Sequence, residues 1–447
     1  MKHARTIATA LAIVAASSLA LSGCSSSTPN TNNSSSSTPA ATSAAVETSA
    51  APQAVSMTFW HNATAGKGAD YMTQAVTAFQ NANPGVTITP QIVQNEDYDG
   101  KLQAAMQANT TPDIFFQRGG QKMADQLAAG QLGDVTNLLS STAKSELGGN
   151  FGTETIDGKI YGVPVSLQPG GLWYSGDLFQ AAGVDPASIK TMDDLNTAVT
   201  ALKGTGVFPI ALGAKDAWPA AHWFYWLGLR ECTQTEATAM TAGTPNLDDP
   251  CWLKALQDLS DLNATNPWND GFLTTVAQQG AGSSAGLLAN HQAAMELQGA
   301  WEPGVIGDLT PDGENLPDLG FIPFPTVTGG QGGANAFMAG ADGYSCSAKA
   351  PQPACADFLS FLASTDQQKL YTVAFSTIPA NPNAADAVTD PATQAASAAL
   401  AGSPYTLLWF DTMLGSKGDD LNTAIVALLA GQVDANGALT QIKAALS

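Results

Sequence analysis

From Ala54 onwards, short apolar runs alternate with longer amphipathic stretches. Met57-Thr58-Phe59-Trp60 reads as a strand. Asp70 is expected to cap a helix whose Met72, Val76 and Phe79 recur on one face, and Asn83-Pro84-Gly85 stops it. Val86-Thr87-Ile88 and Ile92-Val93 supply a second strand. A second helix carries Leu102, Ala105 and Met106, and Asp113-Ile114-Phe115-Phe116 is a third strand. This order predicts an α/β fold, a parallel sheet covered by helices. Ligands in such sheets bind beyond the carboxyl ends of the strands. That draws attention to His61-Asn62 and to Gln117-Arg118-Gly119.

The pattern then restarts. Leu195 to Leu202 is helical, Val207 to Leu212 is a strand, and His222 to Leu229 is an aromatic-rich helix. Cys251 to Leu262 is a further helix. The strand Ala293-Ala294-Met295-Glu296-Leu297 runs into Gly299-Ala300-Trp301-Glu302. Ala356 to Tyr371 and Leu421 to Leu429 read as helices, and no repeat of fixed period is visible.

The length, 447 residues, exceeds one ordinary core, so two domains or more are expected. Apolar residues make up 44% and charged residues 12%, with 17 Lys+Arg against 38 Asp+Glu, a net charge of −21. That balance argues against nucleic acid and against a broad electrostatic hold on an anionic membrane. Only four His are present, so a multi-His metal site is not expected. No cofactor is implied, and no G-x-x-x-x-G-K-[ST] loop for ATP is found.

The N-terminus reads as an export signal. Lys2, His3 and Arg5 precede a mostly apolar stretch from Ile7 to Ala20, too short for a comfortable membrane span. Leu21-Ser22-Gly23-Cys24 resembles a bacterial lipobox, which implies a signal peptide over 1–23 and a lipidated Cys24. Several acyl chains on Cys24 would anchor the chain, since one alone is marginal. Residues 25–50 hold nine Ser, five Thr and one charge, Glu47. Residues 24–53 are therefore expected to be a disordered tether. Four other cysteines remain: Cys232, Cys251, Cys346 and Cys355. An even number in an exported chain suggests two disulfides. Three pairings are possible, and Cys232–Cys251 with Cys346–Cys355, the sequence-local one, is the expectation.

The order of motifs resembles the extracellular solute-binding proteins of carbohydrate ABC importers, the family that includes maltose-binding protein. The marks are Phe59-Trp60-His61-Asn62, Asn83-Pro84-Gly85-Val86, Thr111-Pro112-Asp113-Ile114-Phe115 and Tyr161-Gly162-Val163-Pro164. They continue with Gly171-Leu172-Trp173-Tyr174-Ser175-Gly176-Asp177, Gly299-Ala300-Trp301 and Gly320-Phe321-Ile322-Pro323-Phe324-Pro325. Each is weak alone, and their joint order is specific. The resemblance implies a two-lobed fold with a hinge and an interlobe ligand cleft. Lobe one is expected at 54–165 plus 326–378, and lobe two at 166–325 plus 379–447. The hinge crossings fall near 165–168, 320–325 and 378–379.

A sugar offers C–H faces that suit aromatic rings and hydroxyls that suit carboxylate, amide and guanidinium groups. By resemblance, Trp301 with Glu302 beside it, Trp409, Trp218 and Trp223 are the lobe-two candidates. Asn62, Glu96, Gln117, Arg118 and Asp342 are those of lobe one. Family members often carry an acid near Gln117, where this chain has an amide followed by Arg118. Trp226 and Trp252 are expected in the core. The implied ligand is a di- or trisaccharide, for example of xylo- or cello-type. The implied partners are ABC permease subunits and, through the lipid, the outer face of the cytoplasmic membrane. The chain is expected to be a monomer and not an enzyme. Two alternatives stand beside this: an exported glycoside hydrolase using Glu296 and Glu302, or the same fold holding a polyamine or other solute. Gly282-Ser283-Ser284-Ala285-Gly286 formally matches a hydrolase elbow, without a good strand before it.

Overall fold

Strand β1 (Val55–His61) buries alternate residues, Met57, Phe59 and His61, and so joins a half-covered sheet face. The computed structural model describes residues 54–447. The expected signal peptide, Cys24 and the tether lie outside the described residues.

The remaining strands are β2 (Val86–Ile92), β3 (Ile114–Gln117), β4 (Thr155–Ile156), β5 (Lys159–Ile160), β6 (Gly162–Pro169) and β7 (Gly171–Ser175). They continue with β8 (Phe208–Ala211), β9 (Ala293–Gln298), β10 (Leu319–Ile322), β11 (Phe337–Cys346), β12 (Ile378–Pro379) and β13 (Thr406–Leu408). One sheet runs β12-β6-β11-β3-β1-β2, with β13 added beside β11. A second sheet runs β10-β7-β9-β8. Strands β2, β1 and β3 are parallel, as the pattern predicts, whereas β11 is antiparallel to both β3 and β6.

Two large hydrophobic cores form among the described residues. The first gathers Met57, Phe59, Phe79, Phe115, Val163, Tyr344 and Phe358. The second gathers Trp173, Leu195, Trp223, Trp226, Trp252, Met295 and Phe410. Strand β11 belongs to both: Phe337 and Met338 pack in the second core, Tyr344 and Cys346 in the first. Leu167 of β6 touches both.

Several sequence expectations shift. The first helix is Gly66–Ala82, so Asp70 lies inside it and Ala65 is its cap. Its entry is set by Gly66 at φ +61, a left-handed conformation that a side chain disfavours. The long helix expected from Ala356 is two, Gln352–Ala363 and Thr365–Phe375. Ser364 turns extended between them, and the Glu146 carboxylate accepts hydrogen bonds from the Thr365 N–H and hydroxyl, each at 3.1 Å.

The segment 320–325 does not cross between cores. Gly320–Ile322 pair with β7, and Phe324 is buried in the second core. The segment 326–336 stays there too, because Arg230 holds it. That guanidinium is 2% exposed and donates to the carbonyls of Phe324, Pro325, Gly333 and Ala336 at 2.9–3.1 Å. The return passage is β11. After β12 the chain remains on the first core, where the Asn381 amide donates to Glu146 and to the Ala363 carbonyl. Ala392 and Ala396 are the next residues in the second core.

Both disulfides form as the sequence-local pairs. Cys232–Cys251 ties the end of helix Trp218–Glu231 to the start of helix Pro250–Ala264, and Cys346–Cys355 ties β11 to the following helix. No helix among the described residues is long and apolar enough to cross a membrane.

Candidate functional site

Between the two cores lies a cleft of about 1040 Å³. One wall comes from the ends of β1 and β3, the start of helix Asn95–Gln107, and β11. The other comes from helix Trp218–Glu231, the turn after β9, and the segment after β13.

Tyr98 builds the first wall. Its hydroxyl donates to the Trp60 carbonyl at 3.0 Å and accepts from the Phe116 N–H at 2.8 Å. This locks Asn95 and Glu96 against the loops that carry Asn62 and Arg118. Asn62 donates to the Asn95 side-chain oxygen at 3.3 Å, and Arg118 donates to the same oxygen at 2.6 Å. Arg118 also pairs with Asp99 at 2.9 Å and lies over Phe116. Lys122 takes the other Asp99 oxygen at 2.9 Å. Asp99 therefore serves two cations, and they hold its carboxyl at about 2 against partial desolvation. Gln117 lines the cleft but is 4% exposed; its amide donates to Gln126 and accepts from the Arg118 and Gly119 N–H groups.

Asp342 enters from β11. Its partner strand β6 slips register between Asp342 and Gly343, an irregularity of the kind that re-aims side chains near sites. Gln168 donates to Asp342 at 2.9 Å. Burial raises its pKa, opposed by Arg118. Glu96 faces the opposite wall, where Gln279 donates to it across the cleft. Burial raises its pKa, and Asp216 adds to the rise.

The second wall is aromatic. Trp218 and Trp301 meet edge to face at 5.9 Å, and Trp301 lies 6.2 Å from Trp409. His222 stacks behind Trp409. Trp218 follows Ala217, whose φ of 62° is costly for alanine and is held by the surrounding fold. Trp409 reaches the hinge strands because Gly170 leaves room: a Cβ there would stand 2.4 Å from its ring.

Eight of the ten sequence-derived ligand candidates line this cleft: Asn62, Glu96, Gln117, Arg118, Trp218, Trp301, Asp342 and Trp409. Trp223 does not. It is fully buried on Trp268 and Phe324, because five positions after Trp218 the helix has turned it about 140° away. Its neighbour His222, four positions on, shares the cleft face. Glu302 is also absent from the wall. It is fully buried beside Glu296, itself 1% exposed, so this carboxyl pair does not face the cleft as a glycoside hydrolase would require. Ser284 of the hydrolase-like elbow is buried and bonded to the Ala277 carbonyl.

Gln279, Asp411 and Asp216 also line the cleft, beyond the sequence-derived candidates. Gln279 sits in a loop with no periodic signal, and Asp411 directly follows the Leu408-Trp409-Phe410 motif. In all, eight carboxylates and two cations, Arg118 and Lys122, line the cavity. Lys122 and Asp419 join the walls at 3.7 Å, and outside the cleft Lys67 pairs with Glu314 at 2.6 Å.

Away from the cleft, Asp177, His291 and Asp318 bring ligand atoms within 4.8 Å of one another. The Asp318 carboxylate there already accepts from the Ser175 hydroxyl and the Asp177 N–H.

The family model described as bacterial extracellular solute-binding protein matches residues 65–369. An uncharacterized ABC transporter extracellular-binding protein of Pyrococcus horikoshii is 26% identical over 401 residues, 87% of each chain. A solved structure from work on xylan utilization by the thermophilic bacterium Caldanaerobius polysaccharolyticus superposes with a TM-score of 0.80. It is 24% identical and covers 87% of this chain and 99% of its own. A chitin oligosaccharide binding protein superposes with a TM-score of 0.76, at 24% identity, over 88% of this chain and 98% of its own.

Proposed function

This chain belongs to the bacterial extracellular solute-binding proteins, and we propose that it captures a neutral oligosaccharide by lobe closure and delivers it to an ABC permease. The observation that carries the sugar reading is the cluster Trp218–Trp301–Trp409 facing a rim of amides and carboxylates. Ring C–H faces stack on indole, and hydroxyls exchange hydrogen bonds with Asn62, Glu96, Gln279 and Asp342. A missing hydroxyl leaves a buried polar group unpaired, at about 1–3 kcal/mol, which selects the sugar. The likeness to a chitin oligosaccharide binding protein supports this class. Three adjoining aromatics favour two or more rings over one.

The hinge is β6, β11 and β12 side by side. A ligand touching both walls favours the closed form by its differential affinity for that form. The closed protein is what the permease receives. Lipidation at Cys24 and a 24–53 tether hold the monomeric body at the outer face of the cytoplasmic membrane.

The excess of carboxylates in the cleft favours a cation as the second reading. Calorimetric titration with xylotriose, cellotriose and chitotriose, with spermidine as the competing class, separates the two. Saturable binding of a trisaccharide supports the sugar reading. Binding of spermidine alone overturns it.

A further inference from the structure

Trp301, the central aromatic of the cleft, is not held by packing alone. Its indole N–H donates to the Gln298 side-chain oxygen at 3.1 Å. The Gln298 amide in turn donates to Glu296 at 2.7 Å. Gln298 is fully buried, with its acceptor end on the indole and its donor end on the carboxylate, so its amide has one usable orientation.

Behind Glu296 lies Glu302, fully buried, whose two oxygens have no other donor. The second Glu296 oxygen likewise has none. The elements around the pair bring no compensating cation: on helix Trp218–Glu231, packed against β9, burial keeps His222 neutral, Arg230 is taken up by four backbone carbonyls, and Glu231 is paired with Lys254. β7 sets Trp173 opposite Glu296, β8 sets Ala211 opposite it, and helix Ser284–Ala289 adds Ser284. On the helices packed against Glu302–Leu309, Lys67 is paired with Glu314 and Lys369 with Asp386. Asp70, Asp366 and Tyr371 on those helices, and Asp308 on the same helix, add no positive charge. Two adjacent buried carboxyls without a cation cannot both ionise, so above about pH 7, where Glu296 has lost its proton, the pair shares the one that remains.

We propose that Gln298, Glu296 and Glu302 are positioning residues that fix the Trp301 ring in the cleft through a hydrogen-bonded chain closed by that proton. Glu302 donates its O–H to Glu296, Glu296 accepts from Gln298, and Gln298 accepts from the indole. Burial and the neighbouring carboxylate raise the pKa of Glu302 well above the ordinary value, and burial raises Glu296 to about 7. Loss of the proton in alkaline solution places a second uncompensated charge in the chain and loosens its grip on the indole. The inference draws on the sugar-binding reading only for its second readout.

The test follows the Trp301 indole N–H resonance in the ligand-free protein from pH 8 to 10, above the Glu296 step, assigned by its loss in Trp301→Phe. The wild-type resonance is expected to titrate in this range. Glu302→Gln, whose amide donates to Glu296 without titrating, holds the resonance near its pH 8 position throughout. Gln298→Leu moves it at every pH. A wild-type resonance that does not titrate overturns the proposal, as does one that titrates identically in Glu302→Gln. If Glu302→Gln does not fold, the wild-type titration and Gln298→Leu still decide. In the second readout, the tightest of xylotriose, cellotriose and chitotriose binds the wild type at least threefold more weakly at pH 10 than at pH 8, and Glu302→Gln loses this dependence. Equal dependence in both overturns the proposal. Failure of all three sugars counts against the sugar reading, and the indole readout still decides this one.

Discussion

His222 lies flat against Trp409, with ring centroids 4.2 Å apart and planes 7° from parallel. The imidazole is 3% exposed and burial lowers its pKa to about 4, opposed by Asp411, so it stacks as a neutral ring. It backs the indole from inside helix Trp218–Glu231, while Gly170 leaves room for the ring's far edge. His222→Ala should free Trp409 and weaken oligosaccharide binding about two- to tenfold, the range of an aromatic pair worth about 0.5–1.5 kcal/mol. Calorimetry on the folded variant checks this; unchanged affinity would mean that Trp409 needs no backing.

Arg230 anchors the 324–336 segment without an acidic partner, its guanidinium satisfied by four carbonyls. Burial lowers its pKa to about 10. Arg230→Leu would strand buried carbonyls, each costing about 1–3 kcal/mol if no water reaches it. Urea unfolding should show a loss of about 3 kcal/mol or more. A loss below about 1 kcal/mol would show that the segment holds itself.

Glu154 is fully buried, and burial raises its carboxyl to about 8, with Thr153 donating to it. The unfolded chain ionises this group near 4.5, so between 4.5 and 8 the native state holds the extra proton. Stability from this group is therefore complete below 4.5 and is lost as pH rises towards 8. Glu154→Gln does not titrate. Its stability relative to wild type should improve from pH 5 to pH 8 by on the order of 3 kcal/mol. Thermal melts at the two values measure the change, and a constant difference would mean that Glu154 is ionised in the fold.

Much of the architecture was legible because it follows from local rules. The alternation in Val55–His61 and the apolar run Ile114–Gln117 announce buried strands, and loops after such strands reach a cleft. What was not legible depends on distant partners. Arg230, more than 90 residues from the carbonyls it binds, decides that 326–336 packs on the second core. Trp218 and Trp223 look alike in sequence, and only the helix rotation separates the cleft ring from the core ring. Glu302 sits beside Trp301 in the chain, yet the next position on the helix turns inward.

The central claim is that the aromatic wall binds an oligosaccharide. The most direct measurement is calorimetric titration of wild type and Trp301→Ala with xylotriose, cellotriose and chitotriose, with reducing ends followed over time. The account predicts one-to-one binding of at least one trisaccharide without turnover, weakened at least tenfold, about 1.4 kcal/mol, in Trp301→Ala. Equal affinity in wild type and variant, no binding of any of these sugars, or a steady release of reducing ends would contradict it.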